Sequence, residues 1–315
     1  MQRPPRLNVI AACTKRKRHT PVPTLRIGEL DPRETISLAA GDWINALSKA
    51  EGQVTAADLY AGDHWQQFMK VPREVLGYRV EKWVLSAGYG LIPVNARIAP
   101  YSATFSAGHE DDVAAGYEPS RKQASKEWWA MLSAWRGPMP NLPRTLEGLL
   151  ARDKRDKVAL VASEAYVHVL HCDIERCVAR HGTDRLVVFS AGTAARSPVP
   201  TIKYGAGLQS TLGGSLMSLN IRAFRAALAG AQRFDPNSLQ LALDRLPLEM
   251  VPTTKRRARP GASDDEVKRF ISELRRNGPV SCTAALRALR FERGIACEQK
   301  RFRHLFEEIA REQTQ

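Results

Sequence analysis

The 315-residue chain carries 47 Lys and Arg against 33 Asp and Glu, a net charge of +14 with a pI near 9.9. Such a surface is unusual for an enzyme of small neutral metabolites and attracts polyanions, with nucleic acid the favoured partner. No apolar run approaches the roughly 20 residues a membrane-spanning helix needs, and five scattered cysteines, Cys13, Cys172, Cys177, Cys282 and Cys297, form no disulfide framework, so reduced thiols and a cytoplasmic protein are expected.

The basic residues are unevenly placed. Arg3, Arg6, Lys15, Arg16, Lys17, Arg18 and Arg26 all precede the first acidic residue, Glu29. Residues 7–12 form an apolar run that ends in Cys13-Thr14, the pattern of a buried strand. Residues 36–49 follow with helical periodicity. Further strands are expected at 82–85, 158–162 and 185–189, ending in Ser86-Ala87-Gly88, Ser163 and Ser190-Ala191-Gly192, with an amphipathic helix at 120–135 between them. Strands alternating with helices predict an α/β sandwich with a mainly parallel sheet, whose strand ends gather along one edge.

After Gly192 come Arg196-Ser197-Pro198, Lys203-Tyr204 and then Gly213-Gly214-Ser215, which opens a helix to about Leu228. Glycines before a helix capped by Ser215 offer free N–H groups to an anion such as a phosphate; an ordinary cap needs no ligand. Residues 236–262 read as a connector with the basic run Lys255-Arg256-Arg257-Ala258-Arg259. The segment from residue 251 carries 15 Lys and Arg against 9 Asp and Glu. Its last part, 263–315, divides at Asn277-Gly278-Pro279 and Gly294 into three short helices, the second capped by Ser281 and the third bearing Lys300, Arg301, Arg303 and His304. This is either a helix-turn-helix-like module or a helical appendage.

Several chemistries find no support. His168, His171, Cys172 and Cys177 fall close together but match no zinc spacing, so a structural helix is the better reading and no metal is expected. The Ser elbow, the Walker motif and the dinucleotide glycine fingerprint are missing, and no cofactor is implied. Among carboxylates, Asp58 stands beside Tyr60 in a polar-poor segment, where it either orients water and stabilises a cationic sugar or caps a turn. Asp63 reads as a turn residue, and Asp111 and Asp112 as solvated loop residues. Trp128, Trp129 and Trp135 lie at helical spacing and read as core.

The most distinctive stretch is Leu85-Ser86-Ala87-Gly88-Tyr89-Gly90-Leu91-Ile92-Pro93 followed by Ile98-Ala99-Pro100-Tyr101. Tyr89 and Tyr101 flank it as stacking surfaces for a base or as packed loop anchors. Together with Cys13-Thr14-Lys15-Arg16-Lys17 and Asp58-Leu59-Tyr60, it resembles a bacterial and phage domain family. Members of that family show Cys-Ser-Lys-Lys-Lys, Glu-Leu-Tyr, and Ser-Ala-Lys-Tyr-Gly-Leu followed by Pro-Tyr-Asp. The resemblance covers roughly residues 6–229; Gly88 departs from it where relatives carry Lys, and Ser102 where they carry Asp.

That family is related to a domain of archaeosine synthases and, more distantly, to uracil-DNA glycosylases. The resemblance implies a uracil-DNA-glycosylase-like three-layer α/β domain over 1–235 and a substrate base in nucleic acid, with double-stranded DNA bearing modified bases as the expected partner. One branch excises heavily modified bases in defence against phage. In the expected site, Asp58 serves the sugar, and Tyr60, Ser86, Tyr89, Gly90, Leu91, Pro93 and Tyr101 form the base pocket. Lys15, Arg16, Lys17, Arg18, Lys203, Tyr204, Gly214, Ser215, Lys300, Arg301 and Arg303 meet the DNA. The alternatives are modification of a deazaguanine base through a Cys13 nucleophile, and binding of modified DNA without catalysis.

Overall fold

The structure is a computed structural model that describes residues 3–117, 120–191, 199–247, 260–276, 278 and 280–312. Gly192, 196–198, 255–259, Asn277 and Pro279, singled out in the sequence, lie outside the described residues. The chain divides into two compact units, Met1–Met250 and Val251–Gln315, each with its own apolar core.

The first unit opens with β1 (Arg6–Ala12) and α1 (Ile36–Lys49), the latter capped by Thr35, whose hydroxyl accepts from the Leu38 amide. Next come β2 (Val54–Thr55), α2 (Ala56–Leu59), α3 (Asp63–Met69), β3 (Glu74–Val75), β4 (Tyr78–Ser86), β5 (Gly90–Pro93) and β6 (Arg97–Ile98). Then follow α4 (Arg121–Ala134), α5 (Leu146–Leu150), β7 (Lys157–Val161), α6 (Glu164–Val169), α7 (His171–His181), β8 (Leu186–Phe189) and β9 (Thr201–Ile202). The helices α8 (Leu208–Leu212), α9 (Leu219–Gly230) and α10 (Pro236–Asp244) close the unit.

The four expected strands are present with shifted ends, and among the described residues five short strands accompany them. The seven-stranded sheet runs β3-β4-β1-β7-β8-β9, with β5 also on β4. Every pairing from β4 through β1, β7 and β8 to β9 is parallel; β3 and β5 add antiparallel edges to β4, and β2 pairs with β6 in a separate ribbon. β1 is central and buried on both faces, which is why it reads as an apolar run interrupted only by Asn8. Asn8, the polar residue in its interior, is fully buried and satisfied: Trp83 Nε1 donates to its Oδ1 at 3.1 Å and its Nδ2 donates to Lys157 O at 3.2 Å, tying β4, β1 and β7 together. Arg6 enters the strand clamped to the buried carboxylate of Asp156, backbone and guanidinium both at 2.8 Å.

Among the parallel strands, β1 precedes β4 in sequence but lies between β4 and β7. The chain therefore leaves β1 in one direction to build β4 and crosses back to build β7. The carboxyl ends of β1 and β7 flank this reversal, where an open α/β sheet leaves a crevice.

Two expectations change here. Residues 236–244 are not connector: Asp235 caps α10 by accepting from the Ser238 amide, and Leu239, Ala242 and Leu243 bury its inner face. The helix expected from Ser215 begins at Leu219, because residues 216–218 form a 3-10 turn closed by the Ser218 amide on Ser215 O. The second unit holds α11 (Asp264–Arg276), α12 (Cys282–Phe291) and α13 (Gln299–Glu312) around Val267, Phe270, Ile271, Ala285, Leu289, Phe302 and Leu305, with Ser281 capping α12.

Candidate functional site

The distinctive Ser86–Pro93 stretch turns out to be scaffold. Gly90 adopts φ 72° at the turn from β4 into β5, and at Gly88 a Cβ would sit 2.5 Å from the Tyr101 ring. The loop carbonyls are taken by buried indoles: Trp128 Nε1 donates to Ala87 O and Trp43 Nε1 to Gly88 O, each at 2.8 Å. Ser86 Oγ accepts from the Tyr89 amide at 2.8 Å and exchanges a hydrogen bond with the Tyr101 hydroxyl at 2.7 Å; that hydroxyl in turn meets Tyr60 OH at 2.8 Å. Tyr89 OH closes on Ala99, and Arg144 reaches the carbonyls of Tyr89, Leu91 and Leu132.

Tyr60, Ser86, Gly90, Leu91 and Tyr101 are buried, Tyr89 is 3% exposed, and half-buried Pro93 pairs with Trp83 at the end of β5. None of them lines the cleft at the sheet reversal. The expected base walls are therefore interior anchors, and burial drives the hydroxyl pKa values of Tyr60, Tyr89 and Tyr101 upward. Asp58 also departs from expectation. It is exposed in a reciprocal cap, Thr55 Oγ1 donating to its carboxylate at 2.6 Å and accepting its amide at 3.1 Å, and it does not border the cleft.

The cleft itself, about 420 Å³, lies at the reversal point of the sheet. Its floor comes from the end of β1 (Ala12, Cys13, Thr14) and the start of α6 (Ser163, Tyr166), and its rim from Lys15, Arg16, Lys17, His109 and Ser215 to Met217. Cys13 is fixed by its amide on Leu85 O at 2.9 Å, and its Sγ lies 3.4 Å from Tyr166 OH. The loop after β1 is pinned to the segment after α2, Ala61 N donating to Arg16 O and Arg18 N to Leu59 O, both at 2.9 Å.

Sequence reasoning missed Asp111 and Asp112, which are 6% and 4% exposed instead of solvated. Asp112 is neutralised by Arg121 at 2.6 Å. Asp111 borders the cleft, its carboxylate accepting from Ser102 Oγ at 2.7 Å and from Gly28 N at 3.2 Å. A polar loop reads as solvated in one dimension; only the fold brings Gly28 and Ser102 to it. Asp63, at the start of α3, also borders the cleft but is claimed by Arg222 at 2.7 Å, and hydrogen bonds from Ser218 and Arg222 pull its pKa to about 2. His64 has both ring nitrogens shut off from solvent near the carbonyls of Ala12 and Met217, and burial lowers its pKa, so it is neutral at pH 7. His109, Glu110 and Asp111 place ligand atoms within 4.8 Å of one another, but Asp111 N donates to His109 Nδ1 at 3.0 Å and the Asp111 carboxylate is already hydrogen-bonded, so the set serves its own loop.

The expected DNA contacts divide. Lys15, Arg16 and Lys17 border the cleft with Ser215; Arg18 is exposed and spends a donor on Asp58 O. Lys203 and Gly214 are exposed and not part of its lining. Tyr204 donates its hydroxyl to Asn220 at 2.8 Å. In the second unit, Arg303 is exposed, Arg301 is bound to Asp264 and Ala262 O, and the side chain of Lys300 lies outside the described residues. Among the described residues no helix is long and apolar enough to cross a membrane.

No family model matches the chain, and neither a curated protein nor a solved structure matches it.

Proposed function

We propose that the chain is a DNA glycosylase that removes a modified base and leaves an abasic site, of the kind that acts on heavily modified phage DNA. The observation that carries this reading is the shared cleft of Lys15, Arg16 and Lys17 with the buried carboxylate of Asp111 at the β1–β7 reversal. Breaking an N-glycosidic bond builds positive charge on the sugar, and a fixed carboxylate in a partly dry cleft stabilises it. The cations meet flanking phosphates, and their attraction offsets the few kcal/mol of unstacking a base. Leu216 and Met217, 59% and 85% exposed on the rim, are apolar wedges suited to the vacated stack.

Asp111 thus takes the role first expected of Asp58. Ser102, standing where the resembled family carries Asp, hydrogen-bonds the Asp111 carboxylate and holds a negative charge at the same place. The second unit, with its basic surface, supplies further phosphate contacts in this reading.

A second reading keeps the base attached. Cys13 Sγ borders the cleft, and a thiol there adds to a nitrile on a deazaguanine base. Incubating the protein with DNA carrying different modified bases, followed by mass spectrometry of free bases, abasic sites and digested nucleosides, separates the readings. Released base supports excision, a mass change on an intact nucleoside supports modification, and binding with neither product leaves a sensor. Asp111→Asn lowers excision by about 100-fold or more; unchanged excision removes Asp111 from the role.

A further inference from the structure

Lys17 is the one cleft cation with an enclosed amine. Its Nζ lies 4.4 Å from the centre of the Tyr101 ring and 5.8 Å from that of Tyr60, with Thr14 O at 3.5 Å. The backbone of Lys17 bridges to Tyr60, so the side chain is delivered to the cleft by a pinned loop. No carboxylate lies within ion-pair distance of it among the described residues. Lys15 and Arg16, by contrast, are exposed and suited to phosphates.

We infer that Lys17 is a nucleophile toward the sugar: its amine forms a covalent imine with the C1′ aldehyde of an abasic deoxyribose, giving the protein a strand-cleaving lyase activity. This rests on the reading of the cleft as a nucleotide site. The chemistry requires a neutral amine, and burial lowers the pKa of Lys17, against the opposing pull of Cys13 and Asp111. A solvated lysine such as Lys15 has no such preparation.

The steps balance without a co-reactant beyond water. The amine lone pair forms the N–C1′ bond, and the aldehyde oxygen departs as water with one proton from the amine and one from solvent, leaving a protonated imine. A C2′ proton passes to water, the C3′–O bond breaks, and its electron pair leaves on the 3′ phosphate. Hydrolysis of the imine then returns the amine and frees the unsaturated aldehyde.

The test uses the full chain and a duplex with one preformed abasic site, so that no knowledge of the excised base is needed. With sodium borohydride present, a covalent protein–DNA complex forms, and peptide mapping places the reduced adduct on Lys17. Without borohydride the strand is nicked in the absence of alkali. Lys17→Arg and Lys17→Met, checked for folding by circular dichroism, lose trapping by at least tenfold. Absence of the wild-type adduct, or an adduct mapped to another amine, overturns the inference. Base release from modified DNA is scored separately. Release with nicks only after alkali leaves the glycosylase reading standing and removes the lyase; trapping at Lys17 without base release does the reverse.

Discussion

Tyr101→Phe separates scaffold from base wall. The substitution removes one hydroxyl and nothing else, in a site with no solvent access. That hydroxyl bonds Ser86 Oγ at 2.7 Å and Tyr60 OH at 2.8 Å. Ser86 Oγ keeps the Gly88 and Tyr89 amides as donors, so the larger damage falls on Tyr60, whose buried hydroxyl loses its short hydrogen bond and keeps only the weaker approach of Ser86. A lost hydrogen bond nets about 1 kcal/mol, and a poorly satisfied buried hydroxyl adds about 1–2 kcal/mol, so the first unit loses about 2–3 kcal/mol. For a unit of this size that is a fall in Tm of roughly 4–12 °C. The double variant with Tyr60→Phe removes that hydroxyl and costs less than the sum of the two singles, a coupling that a double-mutant cycle in urea reads directly. DNA binding by the folded single variant, measured by fluorescence anisotropy, stays at the wild-type level. Wild-type stability with weakened binding refutes the reasoning and returns Tyr101 to the ligand.

Gly88→Ala forces a methyl to 2.5 Å from the Tyr101 ring and lowers the unfolding free energy of the same unit by about 1–3 kcal/mol; a neutral effect shows that the loop is not as tightly held as described. Replacing Lys15 and Arg16 together by Ala reduces the slope of log K against log salt for duplex binding by up to about 2, and an unchanged slope removes both from phosphate contact. Asp173 gives a pH signature. Burial raises its carboxyl to about 6, above the roughly 3.9 of an unfolded Asp, so both states are protonated at pH 3 and the unfolded state releases its proton first as pH rises. Stability attributable to this residue is complete below about pH 4, falls by up to about 3 kcal/mol through pH 6, and is flat beyond. Asp173→Asn, whose side-chain oxygen retains the Leu146 amide bond, erases that decline and is the more stable protein at pH 7 by urea unfolding.

What was legible in the chain follows from how locally each feature is encoded. The central strands announced themselves because burial on both faces demands a near-continuous apolar run, as in β1. The cap at Ser281 lies three residues from the amide it satisfies. The two-residue strands did not show, because β2, β3, β6 and β9 are defined by their partners. Asp58 and Asp111 illustrate the same limit with opposite outcomes. Asp58 sits in a polar-poor segment yet spends its carboxylate on Thr55 three residues away. Asp111 sits in a polar loop yet is buried by Gly28 and Ser102, the first of which lies far upstream.

The Ser86–Pro93 element explains why a strong sequence pattern need not touch a ligand. A loop that must accept two indole donors on consecutive carbonyls, place a left-handed glycine between β4 and β5, and receive a tyrosine ring against Gly88 tolerates few substitutions. Those demands account for Ala87, Gly88, Gly90 and Tyr101 without a ligand. The connection to chemistry runs through one contact: the ring of Tyr101 is a surface on which the Lys17 amine rests. The hydroxyl chain from Ser86 through Tyr101 to Tyr60 holds that ring edge-on to Tyr60, and Tyr60 is in turn bridged by backbone to Lys17. The same packing thereby fixes the position of the group proposed to react, and loosening the tyrosines by a larger cut than Tyr101→Phe moves the amine.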